Sequence, residues 1–336
     1  MPPTCRTDIV IVTYNSGEVI GACLRSLGGV PEGGGSVTVV DNASQDETRP
    51  VVRQFDWVQL IESESNLGFA GGVNLGAQRG SGRYILLLNP DTALLSPDLS
   101  RLESECEEFG VASGLLVDQA GNPQAGFFAR RLPTPIALAF EALGLNRLWP
   151  SNPVNRRYRC LDLSGREPAF VEQPPGAFLM VRRDVWTELS GMDESFYPVW
   201  FEDADLCRRA LDRGYRIRFT PDCSVVHQGG HSVLHVDESV RGLLWYGSLL
   251  RYGAKHFDSL AFGSVCLAVV AGALMRGMFA LGASVVHRNG SGFGRTVRLY
   301  GTIMRLAVRS LFAGRSAVLR AGAQANADSV ASAVRQ

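Results

Sequence analysis

Acidic and aromatic side chains crowd together at Trp200-Phe201-Glu202-Asp203-Ala204-Asp205. Carboxylates in such a cluster can take a proton from a hydroxyl or orient one, and the two rings can stack on a small molecule or pack into a core. Three polar turns offer a second kind of chemistry: Thr13-Tyr14-Asn15, Asp41-Asn42-Ala43-Ser44 and Asn89-Pro90-Asp91 each follow an apolar run. A further stretch, Asn66-Leu67-Gly68-Phe69-Ala70-Gly71-Gly72-Val73-Asn74, carries glycines at 68, 71 and 72 that let the backbone approach a phosphate or sugar, and the N-terminus of the helix that follows favours anions. Each of these stretches also has an ordinary structural reading as an Asx turn, a helix cap or a Pro-containing turn.

The elements that must position these residues alternate. Residues 9–13 read as a first strand, 16–27 as a helix, 37–40 and 58–61 as further strands, 71–78 as a helix and 84–88 as a buried strand. This pattern of βαβ units predicts an α/β fold with a mostly parallel sheet flanked by helices. Ligands of open α/β sheets bind outside the carboxyl ends of strands, so the three polar turns are expected to share one crevice. Between about 117 and 175 the pattern blurs into Pro- and Arg-containing segments, including the apolar stretch 136–149, and reads as a long functional loop region. Regular signals return at 176–181, in a helix over 183–189, in a helix that runs to Gly214, and in strands over 215–219 and 224–227.

Taken in order, Val12-Thr13-Tyr14-Asn15, Val40-Asp41-Asn42-Ala43-Ser44, the glycine-rich stretch 66–74 and Leu88-Asn89-Pro90-Asp91 resemble family 2 glycosyltransferases, in their rhamnosyltransferase-like branch. The resemblance continues through Pro175-Gly176-Ala177-Phe178, Gly191-Met192-Asp193-Glu194, Phe201-Glu202-Asp203-Ala204-Asp205-Leu206 and His227-Gln228-Gly229-Gly230-His231-Ser232, and covers about residues 8–235. Each motif alone is weak, and the ordered set is specific. It implies a GT-A fold, an inverting mechanism and a nucleoside diphosphate sugar donor held with a divalent metal.

Residue roles follow from that implication and from the chemistry of each side chain. Asp41 is expected to read the N–H edge of a pyrimidine, with Thr13, Tyr14 and Asn15 adding backbone and ring contacts. Asn66, Asn74, Asn89 and Gly176 complete the expected donor site. Asn89-Pro90-Asp91 stands where many GT-A enzymes carry two aspartates around one residue; here the first is an amide, which leaves Asp91 as the carboxylate ligand. His227 is the matching imidazole ligand, and a mixed oxygen and nitrogen set tilts the choice between Mn and Mg towards Mn. Asp203 is the expected base that deprotonates the acceptor hydroxyl, kept ionised by its place at a helix N-terminus. Glu202 and Asp205 are the near alternatives to it, expected rather to orient the acceptor or brace the loop, and Trp200 is expected at the acceptor with Asp205.

Charge and composition set the remaining expectations. The 33 basic and 33 acidic residues cancel, yet no Asp or Glu occurs between Asp258 and Asp328, where Arg dominates. Residues 236–336 therefore read as a helical, basic and apolar extension of a catalytic domain at 1–235, expected to rest on an anionic membrane surface. The apolar run from Ser259 is short for a spanning helix once Arg276 interrupts it. Absence of a leader before the first strand predicts a cytoplasmic protein at the inner face of the membrane, with a glycan or lipid-linked glycan acceptor. No nucleic-acid-binding motif is present, so nucleic acid is not an expected partner. The other classes weighed are a catalytically silent sugar-nucleotide-binding or membrane scaffold, and a nucleotidylyltransferase. Retention of Asp91 with Asp203 argues against the first. Thr13-Tyr14-Asn15-Ser16 lacks the glycine-rich loop with Arg and Lys that usually opens the second.

Overall fold

The strands that carry the polar turns are covered on both faces. In the computed structural model, which describes residues 7–29, 35–229, 237–287 and 293–320, β1 (Thr7–Thr13), β2 (Val37–Asp41) and β4 (Tyr84–Leu88) are buried at every position. Continuous apolar runs of this kind are what a parallel sheet flanked by helices requires. β3 (Val58–Glu62) is half-exposed at the sheet edge. The remaining strands are β5 (Thr92–Leu94), β6 (Gly110–Val117), β7 (Ala169–Val171), β8 (Phe178–Arg182) and β9 (Arg216–His227).

Nine strands form one sheet in the order β3-β2-β1-β4-β8-β6-β9-β5, with β7 also against β9. The run β3-β2-β1-β4 is parallel. β8 is antiparallel to both β4 and β6, while β6 and β9 are parallel. The sheet is therefore mixed, its parallel half being the one legible as βαβ units. The two strands expected over 215–219 and 224–227 are one strand, because the Pro221-Asp222 turn signal is absorbed by a register shift between Ser113 and Leu115 on β6.

Helices α1 (Gly17–Leu27), α2 (Thr48–Val52), α3 (Gly68–Ala77) and α4 (Ser100–Phe109) connect the first six strands. Two glycines of α3, Gly72 and Gly76, serve packing. A Cβ on Gly72 would stand 2.7 Å from Val12 Cγ1, and one on Gly76 only 2.5 Å from Val10 Cγ1. Glycine there lets the helix lie close on β1. α8 (Arg183–Glu188) and α9 (Glu202–Asp212) follow β8.

Contacts divide the chain into two units, the first comprising 1–132, 159–194 and 202–235, the second 133–158, 195–201 and 236–336. The sheet lies wholly in the first. Segments 133–158 and 195–201, placed in the catalytic domain by sequence, belong to the second unit because their apolar residues pack with its helices. Its elements are α5 (Pro135–Leu143), α6 (Leu145–Leu148), α7 (Pro153–Tyr158), α10 (Glu238–His256), α11 (Ser259–His287) and α12 (Phe293–Arg320). The apolar stretch read as loop is α5. Thr134 caps it by accepting the Ala137 N–H, Pro135 fills its first turn, and Gly144 at φ 76° ends it.

Arg276 of α11 is not left as an isolated charge in an apolar run. Its guanidinium donates to the terminal carbonyls of α5, to Ala142 O at 2.6 Å and Glu141 O at 3.5 Å. That placement satisfies orphan carbonyls and complements the negative end of the helix dipole. Within α11, residues 259–279 are long and apolar enough to cross a bilayer. Phe262, Val265, Cys266, Val269 and Ala273 are buried, whereas Leu260, Leu267, Leu274 and Met278 are exposed at spacings of seven, seven and four residues. The helix thus carries a second apolar stripe on its open side.

Candidate active site

Strand register brings the three polar turns together. Thr13 pairs with Asp41 and Ile11 with Leu88, so the turns after β1, β2 and β4 open from the same edge of neighbouring strands. The Asp41 carboxylate is fully buried and already engaged: Arg49 Nε donates to Oδ2 at 2.6 Å, Ser44 N–H to Oδ2 at 3.1 Å, and Thr13 Oγ1 to Oδ1 at 3.3 Å. Asp41 therefore knits the first two turns and holds Arg49, a cation the sequence reading passed over. Asn15, at φ 50°, accepts from Gln45 N–H at 2.8 Å through its Oδ1 and donates its own N–H to Ser44 Oγ at 2.9 Å. Thr13 is buried, while Tyr14 is half-exposed.

Two residues expected at the donor also make scaffold contacts. Asn74 donates to Met192 O and Glu194 Oε1, both at 2.9 Å, and accepts from Met192 N–H at 2.9 Å. Every polar atom of its amide is used to clamp α3 to the 191–194 turn. Asn74→Ala is therefore expected to cost about 1–3 kcal/mol of stability, the usual penalty for orphaning buried polar groups. Donor KM should stay near wild type. Chemical denaturation with donor titration checks this, and an unaltered midpoint with a weakened donor KM would restore Asn74 to the donor site. Asn66 accepts the Gly68 N–H at 2.8 Å and so starts α3 as an Asx turn. Asn89 is half-buried, and its backbone joins β4 to Ala177 O through an N–H bond of 3.0 Å.

Asp91 and His227 meet through a strand pair that sequence did not reveal. β5 runs antiparallel to the end of β9 with Thr92 opposite His227, and the Gln228 N–H donates to Asp91 O at 3.1 Å. Asp91 Oδ1 then lies 3.7 Å from His227 Nε2, and the two residues are only 7% and 3% exposed. That oxygen has no hydrogen-bond partner. Burial pushes the His227 pKa down, against the opposing pull of the Asp91 carboxylate, which keeps the ring neutral and able to ligate. An orphaned carboxylate oxygen facing a neutral imidazole at more than hydrogen-bond distance fits a divalent cation. Among the described residues no group of three or more His, Cys, Asp or Glu forms such a site, so the rest of the shell would fall to ligand oxygens and water.

The loop region contributes side chains that sequence missed. Asp118 Oδ1 accepts from the N–H groups of Ala120 and Asn122 at 2.9 and 2.8 Å, and the returning Gln124 N–H bonds Leu116 O at 2.9 Å. This tight turn, signalled by Gly121-Asn122-Pro123, lays Gln124 against His227. Gln124 Nε2 donates to His227 O at 2.7 Å, and Oε1 lies 3.0 Å from His227 Nδ1. The Phe127 ring stacks on the imidazole at 5.2 Å and 17°, and Arg130 stands 5.4 Å from the Phe127 centroid.

Asp203 sits one residue inside α9, half-buried, with Oδ1 accepting the Ala204 N–H at 2.7 Å and Oδ2 the Gly176 N–H at 3.4 Å. The expectation that a helix terminus depresses its pKa is overturned. Burial raises it, outweighing the two N–H groups and the Arg130 charge. Glu202 is buried, its Oε2 lacks a partner, and burial beside Asp203 and Asp205 pushes its pKa well up. Asp205 is fully buried and pairs with Arg209 at 2.7 Å, whose other nitrogens donate to Leu189 O and Gly191 O. These contacts are those of a brace for the 189–191 turn. Trp200 and Phe201 lie in the second unit with φ of 82° and 72°, a strained pair of conformations for aromatic residues. Phe201 is buried against Trp245 and Tyr252, whereas Trp200 remains half-exposed. Gly230, His231 and Ser232 lie outside the described residues.

The chain is similar to known proteins. Residues 8–148 match the family model described as Glycosyl transferase family 2. An N-acetylglucosaminyl-diphospho-decaprenol L-rhamnosyltransferase of Mycobacterium tuberculosis is 29% identical over 67% of this chain and 76% of its own length. An O-antigen chain rhamnosyltransferase of Salmonella typhimurium is 22% identical, with 68% of each chain covered. Among solved structures, GalNAc-T7 with UDP, GalNAc and Mn2+ superposes with a TM-score of 0.52 at 14% identity, over 74% of this chain and 47% of that one. The mixed sheet, the polar turns at its strand ends and these similarities together identify residues 8–148 as a family 2 glycosyltransferase domain, in a rhamnosyltransferase-like chain on the GT-A fold.

Proposed function

We propose that this enzyme transfers rhamnose from dTDP-rhamnose, with inversion, to a hydroxyl of a lipid-linked or cell-envelope glycan at the cytoplasmic face of a membrane. The observation that carries the reading is Asp203, a half-buried carboxylate whose pKa burial brings towards the working range of a general base. Asp203 takes the proton of the acceptor hydroxyl as that oxygen attacks the anomeric carbon. The bond from that carbon to the diphosphate breaks on the opposite side, and the nucleoside diphosphate leaves with the electron pair. Asp91 and His227 would hold a divalent cation, Mn more readily than Mg, which when bound offsets negative charge on the departing diphosphate. The rhamnosyltransferase relatives support the sugar, and the diphospho-decaprenol acceptor named for one of them supports a lipid-linked acceptor. Thermal unfolding with dTDP-rhamnose, UDP-hexoses and GDP-hexoses, each with and without Mn2+, tests the donor. The largest rise in Tm is expected for dTDP-rhamnose with Mn2+, and a larger rise for another nucleotide sugar would reassign it.

Membrane attachment rests on the second unit. The exposed Leu260, Leu267, Leu274 and Met278 offer apolar insertion, and α12 exposes Arg298, Arg305 and Arg309 with no acid near in sequence. Each such Arg contributes about 1 kcal/mol at an anionic surface. Truncation would strip α5 of its partners, so point variants are the better test. Full-length protein is expected to float with anionic liposomes and to be released by high salt, Arg305→Glu with Arg309→Glu to float poorly, and Leu267→Glu with Leu274→Glu likewise. Flotation unaffected by either pair would reject the surface, and binding that only detergent reverses would mean that α11 spans.

A further inference from the structure

A metal-binding imidazole works only in the tautomer that leaves its lone pair on the nitrogen facing the ion. The contacts of Gln124 determine which nitrogen that is. His227 O can only accept, so the Gln124 atom 2.7 Å from it must be the amide nitrogen, Nε2. The opposite end of the amide, Oε1, then faces His227 Nδ1 at 3.0 Å. Oε1 has no hydrogen to give. Nδ1 must therefore carry the ring proton, and Nε2 keeps its lone pair, directed to the side where Asp91 Oδ1 waits 3.7 Å away.

Two further features fix the ring. Phe127 stacks on its face at 5.2 Å and 17°, which leaves little freedom of tilt. His227 itself is 3% exposed, so water has almost no access to compete for Nδ1. We propose that Gln124 is a positioning residue of this enzyme: its two-point hold on the backbone and ring of His227 sets the tautomer and aim of the imidazole for a divalent cation shared with Asp91. The inference rests on the metal reading given above and goes beyond it by assigning the outer partner of the ligand. Nothing in the motif pattern points to Gln124, which lies in the stretch that reads as irregular.

The test separates the ring contact from the backbone contact. Gln124→Met keeps the side-chain length and loses both bonds. Gln124→Glu loses the donation to His227 O but keeps an acceptor for the Nδ1 hydrogen. Mn2+ binding to full-length protein is measured by the electron paramagnetic resonance of free Mn2+, in the presence of the nucleoside diphosphate that most raises Tm. Imidazole nitrogen coupling is read by spin-echo modulation, and thermal unfolding confirms that each variant is folded. Gln124→Met is expected to weaken Mn2+ about 10- to 100-fold, the usual cost of an outer-sphere partner, and to lose the nitrogen modulation. Gln124→Glu should bind Mn2+ close to wild type and keep the modulation. Wild-type affinity and modulation in Gln124→Met would overturn the proposal. So would a Gln124→Glu protein as weak as Gln124→Met, since a merely structural brace suffers equally from both changes. Absence of Mn2+ binding in wild type with nucleotide still bound would instead remove the metal reading itself, a result distinguishable from either.

Discussion

Asp203→Asn is expected to lose transfer by about a hundred- to ten-thousandfold in kcat while donor binding persists, because the amide keeps the shape of the side chain and cannot accept the proton. The Ala204 and Gly176 N–H groups can still bond the amide oxygen, so the α9 terminus should hold its place. The pH profile sharpens the expectation. A carboxyl whose pKa burial raises above its ordinary 3.8 binds its proton more tightly in the folded enzyme, so activity falls as pH drops through that raised value. The acid limb of kcat/KM should lie above 3.8 and be absent from the residual activity of Asp203→Asn. Near-normal turnover in the variant would remove Asp203 from the base role. The role would then pass to Glu202 or Asp205, the neighbouring carboxylates on the same helix.

Asp91→Ala carries the second large effect. It deletes the partnerless oxygen that faces His227, and with it the carboxylate of the two-residue donor set. Metal-dependent donor affinity should fall by about a hundredfold or more, beyond the cost of losing an outer-sphere partner. His227→Ala should cost less, since a neutral ligand contributes less attraction to a dication than a carboxylate does. Isothermal titration of nucleoside diphosphate with and without Mn2+ measures both. Affinity indifferent to chelation in wild type would defeat the assignment of both residues.

How much of this was legible depends on where each residue takes its geometry. Asp41, Asn89 and Asp91 stand at the ends of strands whose apolar runs are plain, so their convergence follows from sheet order alone. The Asp91 and His227 pairing rests on β5, three residues long, and on a β9 whose middle holds a proline. Local pattern does not encode such a pairing. Gln124 was hidden for a related reason: its place follows from a turn fixed by Asp118, in a stretch with neither period. For Asn74 and Asp205 the sequence does not separate scaffold from ligand roles, because amides and carboxylates near a site look the same in sequence whether they meet ligand or scaffold. Only their partners, Met192 and Arg209, distinguish the two. The α5 stretch was read as loop since its partner α11 lies more than a hundred residues away in sequence.

The central claim is that the chain transfers a sugar from a nucleoside diphosphate with inversion. Its most direct test is the configuration of the product. Full-length enzyme is incubated with dTDP-rhamnose carrying carbon-13 at the anomeric position, Mn2+ and a polyprenyl diphosphate-linked N-acetylglucosamine acceptor. The one-bond carbon–hydrogen coupling at that carbon is then read by NMR alongside the released nucleotide. The account predicts a rhamnoside of configuration opposite to that of the donor, with one dTDP released per glycoside formed. Retained configuration, or pyrophosphate in place of dTDP, would contradict it.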